Sequence, residues 1–405
     1  MRNGPSRWRH LRLVVPLVIL LVVAAGVGQY LRPISRIQVV RTVSAQIRIP
    51  GSAPKLTWPS TGEGAVAVAG VSSIGTSGGD RPEAIGSIAK VMTALLVLKA
   101  HPIGVGLSGP EITVTAQDVT TYEADKAGQQ SVVAVASGEQ ISELQALQAL
   151  LIPSGNNIAT LLAEWDAGSQ TAFVSQMNSE ATQLGLRHTH YADASGLSAS
   201  TVSDAADQTR LAEVAIVNLT FASIVVLPQV SLPVAGVAYN VNAEVTHDGF
   251  IGVKTGSTSE AGGCFVFAVQ RAVGGSQVTV VGAVLGQGGV SALDTALSAG
   301  QALVDSAFKS LTTFTVVPRD GAVASLTQPW ADSVTIGSPT SLTVVGWPGL
   351  VIKMKVSADR LGDAVAAGRA VGSLRLEEGL TTKVVPLHTP AAVHPPSLRW
   401  RLTRL

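Results

Sequence analysis

The chain has 405 residues, room for two or three domains, and 46% of them are hydrophobic against only 14% charged, so a sizeable core can form. A formal net charge of +1 and an aromatic content of 4% exclude the basic, base-stacking surface that nucleic acid binding requires. Cys264 is the only cysteine, which excludes an intrachain disulfide and a cysteine metal cluster.

Arg2, Arg7, Arg9 and Arg12 precede an uncharged, mostly apolar run from Leu13 to Tyr30. As a helix this run reaches about 27 Å, close to the roughly 30 Å hydrocarbon core of a bilayer. Residues 1–12 are therefore read as a cytoplasmic basic segment and 13–31 as a membrane anchor, with the body of the chain exported. The alternative is a signal sequence cleaved near Val23-Ala24-Ala25, which would leave a secreted protein. No acidic residue occurs before Glu63, so 32–55, with Arg32, Arg36, Arg41, Arg48 and Lys55, reads as a basic linker. Residues 56–310 are expected to form the main domain, and it opens with a strand over Gly64–Val71.

Glycines and Pro82 then lead into Ile85-Gly86-Ser87-Ile88-Ala89-Lys90, the start of an apolar run to Leu98 without Pro or Gly. The run predicts a buried helix. Three residues apart, Ser87 and Lys90 share a face. A lysine in an apolar wall loses affinity for its proton and can take one from a neighbouring serine, which makes the pair a candidate nucleophile with its own base. The competing reading is an N-cap serine and a lysine that snorkels to water.

A helix is expected from Ile141 to Leu151 and another from Asn157 to Trp165. Between them Pro153-Ser154-Gly155-Asn156 makes a tight turn, so Ser154 and Asn156 project from one corner or simply cap the next helix. Further helices are expected to Leu184 and over Asp204–Asn218. His188, His190 and Asp193 invite a metal check, but no further ligand with suitable spacing follows and no metal is expected. The stretch from Gly249 to Thr258 runs into Lys254-Thr255-Gly256, with apolar runs at Cys264–Ala268 and Val278–Gly286 after it; these read as consecutive antiparallel strands. A strand-borne lysine with Thr and Gly can hold a substrate carboxylate, the glycine leaving room for substrate backbone. An ordinary edge-strand lysine is the alternative. Cys264 reads as a buried structural thiol.

Ser87-Ile88-Ala89-Lys90, Ser154-Gly155-Asn156 and Lys254-Thr255-Gly256 stand in the order of the S-x-x-K, S-D-N and K-T-G trio of penicillin-binding proteins. With the flanks KVMTALLVL, ALLIPSGN, the long stretch ending YADASGL, and IGVKTGSTSEAGGC, the chain from about Gly64 to Lys309 resembles the D-alanyl-D-alanine carboxypeptidases, low-molecular-mass penicillin-binding proteins of the S11 serine peptidase family. The resemblance implies an α+β penicillin-binding-protein/β-lactamase-like transpeptidase fold, an antiparallel sheet flanked by helices with a helical subdomain. It implies Ser87 as acylated nucleophile, Lys90 as base, Ser154 as proton relay and Asn156 as a brace for the lysine and the substrate amide. Lys254 and Thr255, with Gly256, would bind the terminal carboxylate, and the backbone N–H groups of Ser87 and Ser257 would form the oxyanion hole. The implied substrate is a peptidoglycan stem peptide ending in D-Ala-D-Ala, with β-lactams as inhibitors and no cofactor. The 203–210 segment matches the family only loosely. A β-lactamase is the rival reading, disfavoured because no glutamate lies between Glu180 and Glu213; a non-catalytic wall-binding protein is another.

From 311 to 390 alternation such as Val351-Ile352-Lys353-Met354-Lys355-Val356 predicts a small all-β domain. Residues 391–405, with Arg399, Trp400, Arg401 and Arg404, read as a frayed basic tail, contact with an anionic surface being the alternative.

Overall fold

A computed structural model describes residues 7–79 and 81–404; residues 1–6 of the expected basic segment lie outside the described residues. The chain divides into two compact units, residues 49–313 with 345–350 in one and the described parts of 1–48, 314–344 and 351–405 in the other.

The first unit is built on a five-stranded antiparallel sheet. Its order is Phe250–Thr258, Gly262–Val273, Ser276–Gln287, Glu63–Val68 and Ser72–Ser77, so the strand carrying Lys254 is an edge. Strand alternation sends neighbouring side chains to opposite faces. On one face Phe265 and Phe267 meet the long helix Ala292–Ser310, where Gly300 lies against the Phe265 ring. On the other, Ala65, Ala67, Val266, Ala268 and Ala283 join one core cluster with the helices. Small side chains there let helix Ala205–Val217 approach the sheet; helix Lys90–Ala100 packs against that helix, and Glu143–Leu151, Asn156–Ala167 and Gln170–Leu184 complete a helical subdomain around it. The expected helices and strands of this unit form, and the stretch 99–140, whose mixed pattern reads as loops and short strands, also holds a helix, Ala116–Ala127, started by a Thr115–Asp118 capping box. The helix expected from Ile141 begins at Glu143, because Gln140–Ser142 pairs with Glu111–Thr113 and Ser142 then closes a capping box with Gln145.

The two larger sheets of the second unit are antiparallel. One runs Gln38–Arg41, Ala322–Gln328, Ala331–Gly337; the other runs Gln46–Arg48, Val351–Ala358, Ala370–Glu378, Thr381–His388. Two of these strands come from the segment read as a linker. They are four and three residues long, too short for alternation to declare them, and they exist because longer strands of the β unit offer them an edge. Helix Arg7–Leu31 carries one 18-residue window, Val14–Leu31, apolar enough to cross a membrane. Residues Leu398–Thr403, read as part of a frayed tail, form a short helix capped by the Ser397 hydroxyl.

Glu143 is fully buried at the start of its helix, and neither carboxylate oxygen has a partner among the described residues. Burial, with Asp166 nearby, lifts its pKa to about 7. A carboxyl raised in the folded state is compatible with folding while protonated, and stability falls as pH climbs from the unfolded value of 4.5 through about 7. Glu143→Gln is expected to raise the melting temperature by a few degrees at mildly alkaline pH and to change it little at acid pH. Thermal unfolding at the two pH values checks this, and an equal effect at both would refute it.

Candidate active site

Gly86–Ala89 forms a single 3-10 turn leading into helix Lys90–Ala100. Ser87 is half-buried at this junction and Lys90 is fully buried one turn on. The Lys90 amine donates to Ser87 Oγ at 2.8 Å, to Asn156 Oδ1 at 2.6 Å and to the Ser195 carbonyl at 3.0 Å. The snorkelling alternative is thereby removed. Burial is the main cause holding Lys90 well below the ordinary lysine range; the charge of Lys254 adds to it, and Asp193 and Asp125 oppose it.

The turn between helices Glu143–Leu151 and Asn156–Ala167 holds Ser154 at φ +68°, a left-handed conformation rare for a residue with a Cβ. Its hydroxyl is buried and has no hydrogen-bond partner among the described residues, a condition shared by the Thr255 hydroxyl. Buried hydroxyls usually find partners, so two orphans among the predicted residues mark places where a ligand can supply them. Asn156 spends Oδ1 on Lys90 and donates from Nδ2 to Gln130 Oε1 at 2.8 Å, while its backbone N–H donates to the Ser131 carbonyl. The side chain of Gln130 also hydrogen-bonds Asp125. Anchored at both ends, the Asn156 amide is fixed with its oxygen towards the lysine.

Strand Phe250–Thr258 packs against the Ser87 turn. A Cβ on Gly256 would stand 2.9 Å from both the Ile85 carbonyl oxygen and the Ser87 nitrogen, and one on Gly86 would stand 3.3 Å from the Ser257 nitrogen. Gly256 thus makes room for the turn that carries Ser87, a demand separate from the room for substrate backbone that the sequence suggested. The close approach brings the Ser87 and Ser257 backbones to one spot. Lys254 is buried; its amine donates to the Thr255 carbonyl at 3.1 Å, and burial lowers its pKa to about 7.

The 188–201 loop serves the site in a way the sequence did not reveal. Asp193 accepts from Ser195 Oγ at 2.6 Å, Thr201 Oγ1 at 2.5 Å and the Leu197 N–H at 2.9 Å, which closes the loop and presents the Ser195 carbonyl to Lys90. Gly196, at φ +79°, crosses so close to Gly86 that a Cβ would overlap its carbonyl. His188 lies with Asp204 and Asp207 rather than with His190 and Asp193, their ligating atoms within 4.8 Å of one another. The carboxylates are already engaged: Asp204 caps helix Ala205–Val217 and contacts His188 Nδ1 at 2.5 Å, and Asp207 accepts from Thr189 Oγ1 and the His188 N–H. Gln130, Asp125 and the Ser195 carbonyl carry no motif of their own; only their place beside Lys90 and Asn156 gives them meaning.

The family model of the D-alanyl-D-alanine carboxypeptidases, peptidase family S11, matches residues 75–288, a stretch that contains all three motifs. The chain belongs to this family. It is 32% identical over 227 residues to a D-alanyl-D-alanine carboxypeptidase of Streptomyces sp. strain K15, an alignment covering 52% of this chain and 75% of that protein. The Mycobacterium tuberculosis carboxypeptidase DacB2 is 34% identical over 164 residues, 39% of this chain and 55% of its own. Among solved structures, the Streptomyces K15 DD-transpeptidase superposes with a TM-score of 0.56 at 26% identity, covering 64% of this chain and all of that one. Penicillin binding protein 5 from Haemophilus influenzae, at 18% identity, shares the fold over 85% of this chain with a TM-score of 0.59. The fold is that of the penicillin-binding-protein and transpeptidase class, and the chain is a serine hydrolase of the D-Ala-D-Ala carboxypeptidase class.

In this carboxypeptidase Gly256→Ala is expected to slow acylation by a penicillin about 100-fold through misplacement of the Ser87 turn. The melting temperature should shift by only a few degrees. Stopped-flow acylation beside thermal unfolding checks it, and a parent-like rate would show that the close approach is dispensable.

Proposed function

We propose that Ser87 is the acylated nucleophile that removes the terminal D-alanine from peptidoglycan stem peptides, outside the membrane and on an uncleaved N-terminal anchor. The observation that carries this is the buried Lys90 amine within hydrogen-bonding distance of Ser87 Oγ and held by Asn156 and Ser195. Neutral Lys90 takes the Ser87 proton as Oγ bonds to the carbonyl carbon of the penultimate D-alanine. The backbone N–H groups of Ser87 and Ser257 receive the developing oxyanion. As the C–N bond breaks, the Ser154 hydroxyl, otherwise unpartnered, relays the proton to the leaving amine. Water then attacks the ester, releasing the shortened peptide and restoring Ser87. Lys254 as cation, with the Thr255 hydroxyl, holds the substrate's terminal carboxylate.

A β-lactam carries a carboxylate and a strained amide in a similar relation, so it would acylate Ser87 and leave slowly. The β-lactamase alternative is weakened by Glu180, which is engaged with Lys99 at 2.6 Å. Retention of the anchor is supported by Arg404, whose guanidinium donates to the Gln29, Arg32 and Pro33 carbonyls at the end of the apolar helix. Cleavage near Ala25 would detach that helix from its own last turn.

Incubation with a fluorescent penicillin should give one persistent adduct by intact mass, absent in Ser87→Ala; an adduct on the variant would disprove the assignment. The pH dependence of kcat/KM reports the free enzyme. Its alkaline fall should lie near pH 7, where Lys254 loses its proton. Lys254→Ala should abolish that fall, raise the pH of the acid limb by removing a charge that depresses Lys90, and lower kcat/KM by about 10–100-fold below pH 7. D-alanine release from a pentapeptide across pH checks this, and an unchanged alkaline limb in the variant would remove Lys254 from carboxylate binding.

A further inference from the structure

The apolar window of the N-terminal helix ends at Leu31, and basic and aromatic side chains from distant parts of the chain gather there. Arg404 donates from Nη1 and Nη2 to the carbonyl of Gln29, an orphan acceptor in the last turn of the helix, and to those of Arg32 and Pro33 just past it. Arg401 sits over the Tyr30 ring, 5.1 Å from its centroid, and pairs with Asp363 at 3.3 Å. Trp400 meets Trp330 edge-on at 5.8 Å, and the Trp330 indole donates to the His394 carbonyl. The short helix Leu398–Thr403 is thereby fastened to the end of the apolar helix.

This fastening leaves an open cup of about 400 Å³ whose wall includes Tyr30, Arg32, Arg36, Asp363 and Arg401. Among the described residues Asp363 is the only carboxylate lining it, against the three guanidinium groups of Arg32, Arg36 and Arg401. Arg36 is exposed and forms no ion pair among the described residues, and Arg32 reaches only the Gln29 side chain. Guanidinium groups in such a cluster suit phosphate oxygens, to which they donate in pairs. With helix Arg7–Leu31 read as a span, Tyr30 in the cup wall and the cup itself, immediately past Leu31, fall at headgroup depth.

We propose that this cup binds the phosphate headgroup of an anionic phospholipid. The proposal rests on the reading of helix Arg7–Leu31 as a retained span. The bound lipid would bridge Arg32 and Arg36, which follow the span, to Arg401 near the other end of the chain, and so hold the β unit at the membrane surface.

The test uses the full chain in detergent micelles, titrated with phosphatidylglycerol, phosphatidylcholine or inorganic phosphate and followed by native mass spectrometry. One phosphatidylglycerol should be retained per chain in preference to phosphatidylcholine, and inorganic phosphate should not displace it. Arg32→Gln with Arg36→Gln should weaken retention roughly thirty-fold, each arginine near a membrane surface contributing about a factor of five. Arg399→Gln, outside the cup, should behave as the parent. Undiminished penicillin labelling certifies that each variant is folded. Equal retention of the two lipids, displacement by inorganic phosphate, or parent-like retention by the double variant would each overturn the proposal. Carbonate extraction of membranes carrying the full chain separates the two readings. Release of the chain overturns the anchor and the cup together, whereas a chain that stays embedded without selecting phosphatidylglycerol overturns the cup alone.

Discussion

A fully buried amine is the constraint on which the rest of this molecule depends. Lys90 has no exposed surface, so its three hydrogen-bonding partners must come from the protein, and each comes from a different part of the chain. A buried polar group left unpaired costs on the order of 1–3 kcal/mol, so the helix, the 152–156 turn and the 193–201 loop are tied together by the same three bonds that hold the proposed base. Catalytic geometry and local folding are one problem here. The Asp193 bonds and the paired anchoring of the Asn156 amide exist to hold acceptors still around that amine.

Close backbone packing supplies the second half of the arrangement. Gly86, Gly196 and Gly256 stand where the Ser87 turn meets its neighbours, and at each a side chain would press on backbone. Backbone cannot rotate aside as a side chain can. The separation between the nucleophile's N–H and that of Ser257 is thus set by contact of main chain with main chain, a stiff arrangement suited to an oxyanion site, where donors must be in place before charge develops. Ser154 adds strain of its own at φ +68°, retained in a turn bounded by two packed helices.

Much of this was legible in advance, for identifiable reasons. The helix after Ser87 announced itself through eleven residues without a breaker, and the strands around Cys264 and Val280 through their apolar, β-branched runs. The three motifs were readable because their chemistry needs particular residue types at fixed spacing. Gln130 and Asp125 were not, since a polar pair on a mixed stretch looks like any solvated loop until it lies beside Asn156. The packing demand on Gly256 was not legible because the neighbour that imposes it, the Ile85–Ser87 turn, is about 170 residues away in sequence. Strands Gln38–Arg41 and Gln46–Arg48 were hidden for a similar reason: short strands are stabilised by their partners, and those partners lie nearly 300 residues downstream.

Two buried lysines in one site need opposite charge states, and the substrate can reconcile them. In the proposed mechanism Lys90 would act as a base only when neutral, and Lys254 would attract a carboxylate only when charged; burial pushes both towards neutrality. In the free enzyme a charged Lys254 also depresses Lys90, which keeps the base unprotonated but makes it weaker. A carboxylate arriving beside Lys254 favours its protonated form and forms a pair with no net charge. The field that weakened Lys90 then falls away, and its affinity for the Ser87 proton rises at the moment a carbonyl is in place to be attacked. By this coupling, a ligand lacking the terminal carboxylate would lose more than binding: it would meet a site whose base is poorly tuned, so the loss would fall on acylation as well as on affinity.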